Sequence, residues 1–196
     1  MATQKMPNPR NHKTKLPRRL APGKEPSSQK LSHVDAAGRA RMVDVGPKPV
    51  TDREAVAEGF ITLQASTLRA IADETVPKGE VLGVARIAGI MAAKRCGELI
   101  PLCHPLPVES VEVDFDLPEL SPADDAPLRL RVKATARIAA KTGVEMEALT
   151  AVAVAALTIY DMCKAIDKMM VISDVRLIRK TGGTSNPGHA PPAKIV

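Results

Sequence analysis

The sequence predicts an α+β domain, an antiparallel sheet with helices packed on one face. Three observations carry this. Two consecutive stretches alternate apolar and polar residues, one with an acidic polar face and the next with a basic one. A later stretch, Ala148 to Tyr160, is apolar almost throughout over a helical length. The hydrophobic period also switches along the chain in the order β-α-α-β-β-α-β.

In chain order, Ala40 to Val45 reads as a short first strand. A helix is expected from Thr51 to about Ala72, with Phe60, Leu63, Leu68 and Ile71 at helical spacing. Pro77-Lys78-Gly79 breaks the chain, and Val84 to Leu99 reads as a second helix whose Gly89, Ala92 and Ala93 permit close packing. Pro101, Pro105 and Pro107 punctuate a loop. Val111, Val113, Phe115 and Leu117 then alternate with acids, and Leu128, Leu130, Val132, Ala134 and Ala136 alternate mainly with bases. Opposite charge on the polar faces favours pairing these two strands antiparallel. Thr142 to Glu145 reads as a capping box opening a helix to about Ile166, and Met170 to Ile178 is the last strand, before the glycine-bearing loop 180–184. With one helix set aside as an addition, this is the ferredoxin-like split βαβ order. A helix so apolar must be buried on most sides, partly by other subunits.

Composition limits function. Residues 1–30 carry eight Lys or Arg and one acid, which leaves the other 166 residues at −1 although the whole chain is +6. The basicity therefore belongs to a tail expected to be disordered, and not to a folded nucleic-acid-binding face. A weak polyanion contact or a targeting role for the tail stays open. Residues 186–196 read as a flexible C-terminus around a domain at 31–185. Aromatics are 2% of residues, so a flat ligand must be held by charge, hydrogen bonds and aliphatic walls. Cys96, Cys103 and Cys163 show no CxxC spacing, so neither a disulfide framework nor a metal site is expected, and free thiols point to the cytoplasm. The apolar run is too short for a bilayer, so no membrane partner is expected.

Candidate chemistry lies in three places. Cys103 and His104 sit in a proline-stiffened loop, as structural neighbours or with the thiol as a nucleophile. Asp161 and Lys164 share a helix face at i, i+3, as an exposed ion pair or as a partly desolvated proton-transfer pair. Glu145-Met146-Glu147 opens the same helix, as a dipole-favoured first turn or as part of a site. Glu147 and Asp161 lie about 21 Å apart along that helix. Both can reach one small ligand only if they come from different chains or the ligand is long. Arg53, Lys78 and Lys180 are scattered cations, and Lys180 beside Gly182-Gly183 suits a phosphate, although there is no P-loop.

Longer strings add a resemblance. Leu-Ser-His-Val-Asp (31–35), Met-Val-Asp-Val (42–45), Ala-Arg-Ile-Ala-Gly-Ile (85–90), Ala-Ala-Lys-Arg (92–95), Leu-Ile-Pro-Leu-Cys-His-Pro-Leu (99–106), Lys-Thr-Gly-Val-Glu-Met-Glu-Ala-Leu-Thr (141–150) and Ile-Tyr-Asp-Met-Cys-Lys-Ala (159–165) resemble, in order, the cyclic pyranopterin monophosphate synthase family of molybdenum cofactor biosynthesis. The resemblance implies a ferredoxin-like fold and a homohexamer, a trimer of dimers, with sites at subunit interfaces. It implies a lyase acting on a cyclised GTP derivative with release of pyrophosphate, and no metal or organic cofactor. By the same resemblance Leu102, Cys103, His104, Met146 and Glu147 contact substrate and Asp161 is the acid/base. Lys164 is then its catalytic neighbour, and Arg53, Lys78 and Lys180 surround the triphosphate and the reacting ring. Thr184 stands where many relatives have a second Lys, Cys96-Gly97 departs from their usual residues, and 119–127 lengthens a hairpin. The alternatives are an RNA-binding module, which would need stacking aromatics on its sheet, and a non-catalytic nucleotide-binding or regulatory domain, which would not need Asp161 and Lys164 together.

Overall fold

The computed structural model describes residues 38–121 and 125–183. The expected tails at 1–30 and 186–196, and Thr184, lie outside the described residues. Eight elements follow one another: β1 (Thr51–Leu63), α1 (Ala65–Ala72), α2 (Val81–Lys94), α3 (Cys96–Leu99), β2 (Ser110–Asp116), β3 (Leu128–Ala140), α4 (Glu145–Cys163) and β4 (Val171–Thr181). The strands form one sheet in the order β2-β3-β1-β4, every neighbour antiparallel. This is the ferredoxin-like order, and α2 and α4 pack against each other over the sheet.

Thr51 to Leu63 is a central strand and not the first part of a helix. The period here is two. Ala55, Ala57, Ile61 and Leu63 face the helices in the core, while Glu54 and Glu58 face the other way. Glu58 is buried between Arg131 and Arg176, and Glu54 lies between Arg137 and Arg179. A strand covered on one face by helices and on the other by paired arginines loses the clean apolar/polar alternation that marks a half-exposed strand. Gly59 admits α4, because a Cβ there would lie 2.7 Å from Val152 Cγ1.

The expected strand at Ala40–Val45 is absent apart from a single bridge at Ala40. Val43 and Val45 instead line a cavity, and the Val43 carbonyl meets the His104 ring. The α2 helix begins earlier than Val84 because the Glu80 carboxylate accepts from the Gly83 amide at 2.7 Å. A break at Arg95 separates it from α3. The expected charge match holds between β2 and β3, where Arg131 pairs with Asp116 at 3.0 Å and Arg137 with Glu112 at 2.6 Å. No capping box forms at α4, whose N-cap is Val144 without a side-chain bond.

The α4 helix is the spine of the domain. Ala148, Ala151, Val152, Ala155, Ala156 and Ile159 are fully buried, and their small size lets α2 approach. At Gly89 of α2 an added Cβ would stand 2.9 Å from the Ala151 carbonyl oxygen. At 19 residues and a mean hydropathy of 1.5, α4 is long and apolar enough to cross a membrane. Here it is a core helix, half buried within the domain.

Candidate active site

At the N-terminal end of α4, a loop and a helix start converge. The chain leaving α3 runs into Pro101–Leu106, turned by the Cys103 amide donating to the Ile100 carbonyl at 3.0 Å. Leu102, Cys103 and His104 from this loop and Met146 and Glu147 from the first turn of α4 line one cavity of about 420 Å³. His104 Nε2 lies 2.9 Å from the Val43 carbonyl oxygen. A carbonyl only accepts, so Nε2 is the donor in this contact.

Glu147 is 1% exposed, and burial pushes its carboxyl pKa up. Its Oε1 accepts from Cys103 Sγ at 3.6 Å, while Oε2 is buried with no hydrogen-bond partner among the described residues. Burial, followed by the charge of Glu147, pushes the Cys103 thiol up to about 12. Cys103 therefore stands as a neutral thiol at neutral pH, suited to contact and not to nucleophilic attack.

A second, smaller cavity of about 150 Å³ adjoins the first and is cationic. Arg53, Lys141 and Lys180 line it, and Lys48, Thr142, Gly143 and Glu145 line both cavities. Lys180 Nζ donates to Glu145 Oε1 at 2.9 Å, and Lys141 Nζ donates to the Gly46 carbonyl at 2.7 Å. Gly182 and Gly183, both at positive φ, close over Arg53, where a side chain would collide with the Asp52 carbonyl or the guanidinium. Cations around a small polar hollow beside a larger, mixed one suit a ligand with an anionic end.

The remaining candidates sit at the other end of α4. Lys164 Nζ reaches Asp161 Oδ1 at 2.6 Å, and Lys78 Nζ reaches Asp161 Oδ2 at 2.7 Å and the Asp161 carbonyl at 2.8 Å. The hydrogen bonds from Lys164 and then Lys78 hold the Asp161 carboxyl down to about 2, and the same bond raises Lys164. The Asp161 side chain is 57% exposed, so the expected desolvation does not occur within one chain. The apolar run that suggested it ends inside α4, and Asp161 stands on the exposed side of its last turn.

The MoaC family model matches residues 42–183, and with them all ten residues singled out from the sequence. The chain belongs to the MoaC family. A cyclic pyranopterin monophosphate synthase from Chloroflexus aggregans is 60% identical over 159 residues, which cover 81% of this chain and 93% of that protein. The proteins of the same name from Heliobacterium modesticaldum and Parvibaculum lavamentivorans are 58% and 55% identical, each over 81% of this chain and 95% and 96% of their own lengths.

In this member of the MoaC family the sequence-derived residues therefore fall into two groups. Leu102, Cys103, His104, Met146, Glu147, Arg53 and Lys180 gather at one end of α4, and Lys78, Asp161 and Lys164 at the other. Lys48 and Lys141 line the site as well, although neither is among those ten residues. Lys141 heads the Lys-Thr-Gly-Val-Glu string, and Lys48 stands between Pro47 and Pro49, a stiffened position that could have marked it.

Proposed function

We propose that this chain converts (8S)-3′,8-cyclo-7,8-dihydroguanosine 5′-triphosphate to cyclic pyranopterin monophosphate with release of pyrophosphate, in molybdenum cofactor biosynthesis, working in the cytoplasm as a homohexamer, a trimer of dimers. The observation that carries the reading is the pair of adjoining cavities. The larger one offers thiol, imidazole, thioether and carboxyl groups to a pterin-like ring. The smaller one offers Lys48, Arg53, Lys141 and Lys180 to a triphosphate. The identity to synthases of that name across four-fifths of the chain supports it.

Asp161 is the acid/base, and its first act is to accept a proton, because two ammonium groups keep it ionised down to about pH 2. Lys164 and Lys78 then supply positive charge, and in turn protons, as the ring is rebuilt. Arg53 and Lys180 stabilise charge developing on the departing pyrophosphate. These groups meet in one site when a second chain brings the C-terminal end of its α4 to the cavity of the first. Ile87 and Met91 on α2, Leu157 on α4, and Met169 and Val171 beyond it are large apolar residues left exposed, which supports burial between subunits. Three free cysteines suit a reducing compartment.

The test is incubation of the purified chain with the cyclised GTP derivative, measuring pyrophosphate and the pterin product together. Equimolar appearance of both is expected. Binding without pyrophosphate would leave a non-catalytic nucleotide module as the reading. Asp161→Asn is expected to keep the oligomer and lose about 10²–10⁴-fold in turnover. Activity like that of the wild type in this variant would remove Asp161 from the chemistry.

A further inference from the structure

At the wall of the larger cavity two thiols and a carboxyl group face one another. Cys96 is the first residue of α3, Cys103 lies in the loop that follows, and Glu147 is in the first turn of α4. Cys96 Sγ lies 3.9 Å from Cys103 Sγ, and Cys103 Sγ lies 3.6 Å from Glu147 Oε1. One donor atom from each of the three falls within 4.8 Å of the other two. Cys96 is 1% exposed, as is Glu147, whose second oxygen has no hydrogen-bond partner among the described residues. A buried carboxyl oxygen without a partner is costly unless something satisfies it.

Bond lengths say what fits. A tetrahedral zinc ion takes sulfur at about 2.3 Å and carboxylate oxygen at about 2.1 Å, which places S···S near 3.8 Å and S···O near 3.6 Å. The Cys96–Cys103 and Cys103–Glu147 separations, 3.9 and 3.6 Å, are close to these values, and the Cys96 and Glu147 donor atoms lie within 4.8 Å of each other. Two sulfur donors discriminate against magnesium and calcium, which take oxygen.

We infer that Cys96, Cys103 and Glu147 form a binding site for one thiophilic divalent cation of the zinc class, with its fourth position open toward the cavity. On binding, each thiol gives its proton to solvent and the carboxylate takes up its unsatisfied coordination. Cys103 and Glu147 both line the larger cavity, so an occupied site draws them away from any ligand there. That consequence, metal competing with substrate, rests on the proposed activity. The binding itself does not.

The experiment uses the full chain, reduced and stripped with a chelator, with no substrate present. Zinc is titrated in competition with a chromophoric indicator, and cobalt(II) serves as the spectroscopic probe. One metal per chain and thiolate-to-cobalt charge-transfer absorption are expected. Cys96→Ser and Glu147→Gln should each weaken binding by at least about tenfold, with circular dichroism confirming the fold. Cys163→Ser, at the far end of α4, should bind like the wild type. Absence of the sulfur-to-cobalt band, or unchanged affinity in both Cys96→Ser and Glu147→Gln, would overturn the site. Recovery of Cys96 and Cys103 as a disulfide from reductant-treated protein would overturn it in favour of a redox pair.

Discussion

Glu147 and Asp161 are carboxyl groups on one helix, and their surroundings push them in opposite directions. Asp161 is exposed and held by two ammonium groups, so its pKa falls to about 2. Glu147 is desolvated, its Oε2 has no partner among the described residues, and its pKa rises. The sign for stability follows. A carboxyl whose folded pKa lies above its unfolded value costs nothing while both states are protonated. It destabilises increasingly as pH climbs from the unfolded value to the folded one. In chelator, Glu147→Gln should therefore raise the thermal midpoint at pH 8, and the gain should vanish as pH approaches 4. A gain that stayed constant with pH would mean that packing and not charge separates the two side chains. A gain that vanishes near pH 4 would mean that stability is sacrificed at Glu147 for what the cavity does, as expected where a buried polar group serves a ligand. The i, i+3 pairing of Asp161 with Lys164 was legible from spacing. The third member was not, since Lys78 stands 83 residues away and reaches Asp161 only through the fold.

At the scale of elements, legibility depended on how each one is covered. The β2 and β3 strands show one polar face and one apolar face, and their alternation and charge complement could be read directly. The β1 strand is enclosed by helices on one side and by arginines from β3 and β4 on the other, so Phe60 and Leu63 fell into a false helical register with Leu68 and Ile71. The cavity wall from Val43 and Val45 was invisible because it is held by contacts from His104, Lys48 and Lys141 to its carbonyls and not by a ladder. Glycine marked close approach correctly in α2. Gly89→Ala tests this, since it sets two effects of known size against each other. Alanine gains about 1 kcal/mol in helix propensity over glycine. Its methyl must displace the Ala151 backbone of α4 or the helix itself, and overpacking of this kind costs about 1–3 kcal/mol. The expected result in urea unfolding is a net loss of up to about 2 kcal/mol. A more stable Gly89→Ala would mean that α2 and α4 have room to separate.

For the whole molecule the question is whether one chain can make a site. Within a chain, the cavity at Met146 and the carboxylate at Asp161 lie at opposite ends of a rigid 19-residue helix, and no side chain spans the distance between them. Complementation separates the two possibilities. Met146→Asp spoils the cavity and Asp161→Asn spoils the base, and each leaves the other end of α4 intact. If a site lay within one chain, every chain in a mixture would carry one defect and no ratio would restore turnover. If each site joins the cavity of one chain to the helix end of its neighbour, a mixed oligomer contains some junctions with both parts unaltered. Random equal mixing makes one of four chain pairings intact, so about a quarter of wild-type activity is expected after the variants are dissociated and reassembled together. Native mass spectrometry must show mixed oligomers in the same sample. Mixed oligomers that stay inactive at every ratio would place Asp161 outside the site that holds Met146, and the proton-transfer role would have to pass to a group that lines the cavity, His104 or Glu147.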